Sequence, residues 1–357
     1  MRGLAILLVL VWHYLVDQTR GSWISRAGAL TWSGVDLFFV LSGFLLGSIL
    51  VRYRGGERFY AAFYLRRACR ILPLYAVLLV FYLFAQAWLR QPANAGHAWL
   101  FGAPMPFWTY ATFTQNIVMA LANTSGAHFL GITWSLAVEE QFYLLLPLLI
   151  AFVPPRALPW LLAGFIGLAP LLRGMVEARG FDAFVLMPTR VDSLLGGVLL
   201  ACLLADPLTR SWLETRTRFL KWMLAIFLLG YAILTLERRS LGVLDHTWLA
   251  GLYGVLIALV VVDRSGPISR LMRARWLAAL GVLSYSVYLF HQAVSGLLHG
   301  AVFHRPPTID SLASALLTLL ALAVTLAIAL ATRAYIEAPV TAMGRRVAYR
   351  GRGEGAS

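Results

Sequence analysis

The chain has 357 residues, of which 60% are hydrophobic and only 13% are charged. Soluble domains carry about 25% charged residues, so this composition excludes an ordinary soluble protein and predicts an all-α polytopic membrane protein. The net charge of +14 comes from basic residues in short connections between apolar segments. That distribution is typical of membrane topology, and it argues against nucleic acid as a partner.

Ten segments are apolar and long enough to cross a bilayer as helices. They lie at 3–16, 33–51, 71–89, 135–153, 157–174, 184–204, 219–236, 245–263, 277–298 and 312–334. Of the 30 basic residues, 20 fall in connections on the side of the N-terminus and 8 on the other side. Because Lys and Arg are enriched on the cytoplasmic side, we expect both termini in the cytoplasm and the chain in the inner (cytoplasmic) membrane.

The first segment begins with Arg2, and its apolar run is interrupted by His13. Eleven helical residues make about three turns, which places the two side chains on one face about 16 Å apart. A charge followed by an apolar run also begins a signal peptide, but no small-residue cleavage site follows here. A retained helix is therefore predicted.

The second segment contains Asp36 and Ser42 as polar interruptions, and Gly43 and Gly47 at a spacing that allows close helix approach. Asp36 could be an interfacial cap. Charged groups at membrane depth usually have partners, so the other interpretation is that Asp36 orients a histidine or an arginine of a neighbouring helix.

Arg67 and Arg70 precede the third segment and are three residues apart, hence on one helical face. Paired guanidinium groups at a membrane entrance suit bidentate recognition of phosphate. The alternative is a charge that sets topology and contacts lipid headgroups. The connection that follows this segment, 90–134, is the longest predicted non-helical stretch, and its aromatic residues 107–110 suit the membrane interface.

Glu139 and Glu140 lie near the mouth of the fourth segment. Adjacent acids cannot share one helical face, and both are too costly to expose to lipid. We therefore predict that Glu139 faces inward and that Glu140 reaches the interface.

Three polar residues in the later segments leave alternatives open. Arg190 and Asp192 are helix-end charges that pair with one another or with neighbours, and His291 is either a packed structural group or a site residue. The sequence has no Cys/His metal spacing, no phosphate-binding glycine loop and no nucleophile elbow. No metal site and no permanently bound cofactor are predicted.

Five motifs occur in order along nearly the whole chain. They are Arg2 with His13, the run Gly34 to Phe44, Arg67 with Arg70, the run Trp134 to Tyr143, and the run Ser284 to His291. Together they resemble the integral-membrane acyltransferase-3 family of O-acyltransferases. The resemblance implies a ten-helix enzyme that moves an acyl group, commonly acetyl, from cytoplasmic acyl-CoA to a hydroxyl of a carbohydrate-type acceptor.

In similar proteins the arginine and histidine of the first helix and the paired arginines are needed for activity, which here are Arg2, His13, Arg67 and Arg70. The sequence departs from the family pattern in two places. The family carries several residues before the first arginine, which leaves open a start upstream of Met1. It also often has a histidine where this chain has Ile132, so the role of His128, four residues earlier, stays open.

The residues and the resemblance suggest the same roles. His13 is the best-placed general base, and a carboxylate, Asp36 or Glu139, would stabilise its imidazolium. Arg67 and Arg70 would hold the CoA phosphates, and Arg2 would either join them or hold the helix end. A single domain is expected over residues 1–340, followed by a basic, disordered tail over 341–357.

Two competing functions remain at this point. In a proton-coupled transporter or flippase of a polar glycan or lipid, buried His, Asp and Glu would relay protons. Against it stand the lack of inverted repeats and the position of the arginine pair in a loop. A purely structural membrane partner would leave the buried ionisable groups unexplained. The oligomeric state is not predicted.

Overall fold

The computed structural model describes residues 1–19, 21–89, 92–237 and 240–349, which are helical and contain no strand. Each predicted span overlaps a helix, although the third helix begins at Phe59 rather than at residue 71 and the sixth begins at Val191 rather than at residue 184. Numbered α1 to α10, these are Arg2–Val11, Gly34–Arg52, Phe59–Leu89, Thr133–Phe152, Leu158–Ala178, Val191–Ala205, Thr217–Leu236, Asp245–Val262, Arg275–Phe303 and Leu312–Thr332. The predicted all-α fold is confirmed.

Eight helices in the described part of the chain are long and apolar enough to cross a membrane. A ninth candidate joins α6 to the helix Pro207–Thr215 across a bend of 95°. Helix α1 has ten residues and continues as a π-helical turn, Trp12–Val16. On the outside of the bundle, apolar side chains such as Leu171 and Leu229 are each 63% exposed, as expected for a lipid-facing surface. The chain is a multi-pass membrane protein.

Glycines allow two helix pairs to meet backbone to backbone. A Cβ added at Gly43 of α2 would clash with the Leu194 carbonyl of α6, and one at Gly197 would clash with the Val40 carbonyl. A Cβ at Gly3 of α1 would likewise clash with the backbone of α9. Small residues permit such close approach in membranes, so α1 and α2 are fixed tightly within the bundle.

The connection 90–134 was predicted to be non-helical, and this prediction is wrong. Its described part contains a 3-10 helix, Pro92–Phe101, and the helices Phe107–Ala111 and Gln115–Ala122. Tyr110 is fully buried, so the aromatic segment lies only partly at a surface. Buried polar contacts stabilise the fold of the connection, since the Gln115 amide donates to the Thr133 carbonyl oxygen at 2.9 Å.

The chain beyond α10 also differs from expectation. The helix Ala338–Arg345 packs against α3, and beyond it the ring of Tyr349 stacks on that of Tyr53 with a centroid distance of 4.9 Å. The predicted disordered tail over 341–357 is therefore wrong up to residue 349, because aromatic stacking and helix packing hold this part. Residues 350–357 lie outside the described residues.

Candidate active site

A cavity of about 280 Å³ opens between α1, α2, α3, α4 and α9 near the N-terminal end of α1. We call it the arginine cavity. It brings together four of the six predicted site residues, Arg2, Arg67, Arg70 and Glu139. Its other walls are mostly apolar and include Phe38, Phe39, Leu41, Leu45, Leu46, Ile49 and Leu136.

The three arginines of this cavity come from two helices, and Arg67 and Arg70 lie within a helix rather than in the loop that the sequence predicted. Arg2 is the first residue of α1, and Arg67 and Arg70 lie one turn apart in α3. None of the three has a carboxylate of the described residues within ion-pair distance, although the fully buried Arg173 and Arg190 do. Three unpaired guanidinium groups around one small cavity suit an anionic ligand.

Glu139 lines the arginine cavity, as predicted for the inward-facing acid. Its Oε1 accepts a hydrogen bond from Ser42 Oγ at 2.7 Å, and Tyr143 donates to that same Ser42 oxygen at 3.4 Å. Glu140 does not line the cavity. It is half-buried, and its Oε1 has no hydrogen-bond partner in the described part of the chain.

His13 lies elsewhere, in the π-helical turn Trp12–Val16. Such turns inside α-helices are rare and frequently occur at functional sites. Gln292 Nε2 donates to His13 Nδ1 at 3.0 Å, and the carbonyl of His13 accepts from Gln18 Nε2, also at 3.0 Å. If the Gln292 amide is rotated by 180°, its oxygen accepts a hydrogen bond from His13 Nδ1–H instead. In that tautomer of His13 the Nε2 lone pair is free to accept a proton.

Two lobes of a wider cavity meet at His13. One lobe has a volume of about 710 Å³ and the other about 610 Å³, and both are lined by His13, His128 and Gln292. We call the two lobes together the histidine cavity. Five large aromatic side chains line the smaller lobe: Trp12, Trp32, Trp134, Phe184 and Tyr288.

The rim of the larger lobe is charged. Asp310 lines it, and a hydrogen bond from the Arg305 guanidinium holds the pKa of the Asp310 carboxyl below its usual range. This carboxylate therefore stays ionised at neutral pH. The lobe is thus lined both by His13 and by a carboxylate that is paired with Arg305 at 2.6 Å.

Tyr288 lines both the arginine cavity and the smaller lobe of the histidine cavity. Its hydroxyl is hydrogen-bonded to Ser135 Oγ at 2.6 Å and donates to the Ile132 carbonyl oxygen at 3.1 Å. The sequence predicted that Arg2 and His13 lie on one helical face along a single path. In the structure they line two different cavities, and Tyr288 forms the partition between these cavities.

His291 and His128, whose roles the sequence left undecided, lie in different surroundings. His291 is fully buried, and its ring centroid lies 5.0 Å from that of His13. Its Nδ1 donates to the Tyr288 carbonyl oxygen at 2.6 Å, so His291 packs behind the partition. His128 is exposed within the histidine cavity and meets Trp99 edge to face at 5.7 Å, where a ligand could touch it.

The structure does not bring Asp36 to His13. Asp36 Oδ1 accepts from Arg190 Nη2 at 2.7 Å and lies 3.3 Å from His246 Nδ1, and all three side chains are buried. The expectation that Asp36 stabilises the imidazolium of His13 is corrected, because the fixed charge of Arg190 already occupies this carboxylate. The other interpretation, a partner for an arginine or histidine of a neighbouring helix, is confirmed.

A second ion pair extends this network. Arg173 Nη2 lies 2.6 Å from Asp192 Oδ2, so Asp192 and Arg190 pair with neighbours rather than with one another. The Arg190 guanidinium also lies 5.0 Å from the ring of Phe184 and 5.7 Å from that of Trp134. The network therefore supports the aromatic wall of the histidine cavity from behind.

Sequence reasoning missed Tyr288 and Gln292 as site residues. Both lie in α9 next to the predicted candidate His291. A glutamine inside an apolar span was the available signal, since an unpartnered amide there is costly.

The fold and the two cavities define a multi-pass, all-α membrane protein with a cationic cavity near one end of the bundle and an imidazole-containing cavity beyond it. A family profile described as an acyltransferase domain matches residues 1–334. The chain belongs to the acyltransferase-3 family, which places it among acyl-transferring membrane enzymes.

Curated relatives support this assignment. The O-acetyltransferase OatA of Staphylococcus aureus strain NCTC 8325 is 27% identical over 315 residues, which cover 82% of this chain and 49% of OatA. A provisionally named O-acetyltransferase of strain COL, SACOL0978, is 26% identical over 323 residues, covering 84% of this chain and 50% of that protein. The chain thus spans about half the length of these relatives. No solved structure gives a significant match.

Proposed function

We propose that the protein is a membrane O-acyltransferase that moves an acetyl group from cytoplasmic acyl-CoA to a hydroxyl of a carbohydrate-type acceptor, in the inner membrane. The observation that supports this most strongly is the pair of cavities. One is cationic and lies near the N-terminal end of α1, the other contains an imidazole, and Tyr288 lines both. The relatives named O-acetyltransferases favour acetyl as the acyl group.

The donor fits the arginine cavity. Phosphate groups of CoA would bind Arg2, Arg67 and Arg70, which have no carboxylate partner among the described residues, and an apolar wall would contact the arm that carries the thioester. The excess of basic residues on the N-terminal side favours the cytoplasm for this face, where acyl-CoA is available. Lipid contact alone would not require guanidinium groups inside a cavity.

The acceptor fits the histidine cavity. Trp12, Trp32, Trp134 and Phe184 offer flat apolar surfaces, and His13, His128 and Gln292 offer a few convergent polar groups. Pockets of this composition, mostly aromatic with few polar groups that fix orientation, are typical of small-molecule sites. A sugar ring has an apolar face and hydroxyl edges, so it matches both parts.

The chemistry needs one base. His13 removes the proton from the acceptor hydroxyl as that oxygen attacks the thioester carbonyl carbon, and the tetrahedral adduct expels CoA as its thiolate. The imidazolium of His13 then returns the proton to the thiolate, so the products are an ester and CoA thiol. Such proton transfer contributes about 10²–10⁴-fold to the rate. Gln292 orients the imidazole ring of His13 through their hydrogen bond. Glu139 accepts a hydrogen bond from Ser42, and both residues line the arginine cavity, where the donor binds.

The test is a transfer assay on the purified protein in a lipid bilayer with labelled acetyl-CoA and a panel of glycans. We expect labelled ester on a glycan and stoichiometric release of CoA. Movement of a glycan across the bilayer without release of CoA would contradict the proposal and would support the transporter.

A further inference from the structure

A second basic cleft adjoins the arginine cavity. It has a volume of about 610 Å³ and is lined by five arginines: Arg2, Arg70, Arg273, Arg333 and Arg345. The first two of these also line the arginine cavity. We propose that this nucleotide cleft binds the 3′-phosphorylated adenosine diphosphate part of CoA, an inference that rests on the proposed function.

The cleft is built from segments far apart in sequence. Arg273 lies just before α9, Arg333 begins a π-helical turn that ends at Glu337, and Arg345 ends the helix Ala338–Arg345. A Cβ added at Gly281 would lie 2.9 Å from the Gly3 nitrogen. Because α1 and α9 touch here, Arg2 is held at the junction of the cleft and the arginine cavity.

The charge of the nucleotide cleft is unbalanced. Its one acid is Glu337, which accepts a hydrogen bond from Ser286 and lies 3.9 Å from Arg333 Nη1. Arg273 donates to the carbonyl oxygen of Arg264, and no described carboxylate lies within ion-pair distance of Arg273 or Arg345. A phosphate monoester carries about −1.5 to −2 charges at neutral pH, so a ligand with several phosphates would neutralise this excess.

The arginine cavity and the nucleotide cleft differ in size and polarity, and this difference suggests which part of the donor each one binds. The arginine cavity, about 280 Å³ with mostly apolar walls, suits the narrow pantetheine arm and the acetyl group but not a charged nucleotide. The nucleotide cleft has more than twice that volume, and apolar side chains of Met272 and Leu277 line it beside the arginines. The diphosphate would then lie at the junction, between Arg2 and Arg70, and Arg67 would bind it from the side of the arginine cavity.

The chain offers matched controls. Arg275 and Arg346 are exposed, lie within two residues of Arg273 and Arg345, and do not line the cleft. The test variant is the double substitution Arg273→Gln and Arg345→Gln, and the control is Arg275→Gln with Arg346→Gln. Both remove two positive charges from the same face, so they alter its general attraction for anions equally.

The first measurement is binding of adenosine 3′,5′-bisphosphate by calorimetry, in bilayers of neutral lipid, which does not depend on turnover. We expect the test variant to bind at least about tenfold more weakly than wild type, as loss of charge-assisted hydrogen bonds predicts, and the control to bind like wild type. If wild type does not bind the bisphosphate, or if both variants lose affinity equally, the assignment of the nucleotide cleft is wrong.

The second measurement compares acetyl-CoA with acetyl-3′-dephospho-CoA as donors. In the test variant the KM for acetyl-CoA should rise about tenfold with kcat retained, whereas the KM for the dephospho donor should change much less. Equal changes for both donors would overturn the assignment, as would an effect seen only when anionic lipid is added, which would mark a headgroup site. If wild type binds the bisphosphate but turns over neither donor, the proposed function fails while the cleft survives.

Discussion

The arginine cavity and the histidine cavity differ in how the chain builds them. The arginine cavity is small, about 280 Å³, and its three arginines come from the first residue of α1 and from within α3. The histidine cavity has two larger lobes, and the imidazole proposed as the base, that of His13, lies within a π-helical turn. Under the proposed function, charge would select the donor in the first cavity and shape would select the acceptor in the second.

The two cavities also differ in how firmly their polar groups are held. Arg2, Arg67 and Arg70 have no carboxylate partner among the described residues, whereas His13 is held by Gln292 and packed against His291. A guanidinium group that binds an anionic ligand needs no carboxylate partner in the protein, because the ligand supplies the negative charge. A base must be oriented before the acceptor arrives.

The largest expected effect comes from His13→Ala. Loss of the base should lower the rate of acetyl transfer by about 10²–10⁴-fold, while adenosine 3′,5′-bisphosphate binds as in wild type, because His13 does not line the nucleotide cleft. Turnover and calorimetric binding are measured on the same preparation. His304→Asn, at an exposed histidine that lines neither cavity, is the control. A well-folded and active His13→Ala variant would remove this residue from the mechanism.

Asp36→Ala should separate stability from chemistry. It would leave the buried Arg190 without its carboxylate, and breaking a buried ion pair costs about 3–5 kcal/mol. We expect a lower midpoint of thermal unfolding in detergent, a change that His13→Ala should not produce. The matched variant Asp206→Ala removes an exposed acid of a helix cap and should lower the midpoint less, since losing an N-cap costs about 0.5–2 kcal/mol. A catalytic defect in a fully stable Asp36→Ala protein would return this residue to the active site.

These two variants show what could be read from the sequence and what could not. The helical spans, the shared face of Arg67 and Arg70 and the inward position of Glu139 follow from local spacing. The Asp36–Arg190 pair joins residues 154 positions apart, and several arginines and histidines were equally available to that acid. Long-range pairing of this kind is decided by packing.

Other errors have the same cause. The π-helical turn at His13 has the hydropathy of an ordinary helix, so no pattern distinguished it. The connection 90–134 and the segment after residue 340 lack the periodicity of a span, and their short helices are held by burial of Tyr110 and by the stacking of Tyr349 on Tyr53. Tertiary contacts, rather than local propensity, determine these elements.

Replacing Arg67 and Arg70 together by glutamine should affect the donor alone. Each lost charge-assisted hydrogen bond is worth about 1.5–3 kcal/mol, so the KM for acetyl-CoA should rise by at least about tenfold. The KM for the glycan should stay unchanged. Initial rates with each substrate varied in turn give both constants. Arg52→Gln, an exposed arginine of the same face, is the control, and an unchanged donor KM in the double variant would exclude the pair.

The smallest effect is expected at Gln292. Gln292→Leu would leave His13 in place but remove the hydrogen bond that fixes its ring, and we expect kcat to fall about tenfold, comparable to losing one neutral hydrogen bond. Both KM values should stay close to wild type. Steady-state kinetics together with the unfolding midpoint check this. Gln292→Asn, whose side chain is shorter but keeps the amide, should give an intermediate kcat. If Gln292→Leu is as active as wild type, His13 does not need this hydrogen bond.

The most direct test of the two-cavity arrangement is a sided assay in sealed proteoliposomes. Acetyl-CoA is supplied only at the face that holds the N-terminus, and the glycan only at the opposite face, with orientation fixed by protease access to the C-terminal segment. We predict acetylated glycan on the side opposite to the donor, and its loss in His13→Ala. Product formed only when both substrates share one side would contradict the account.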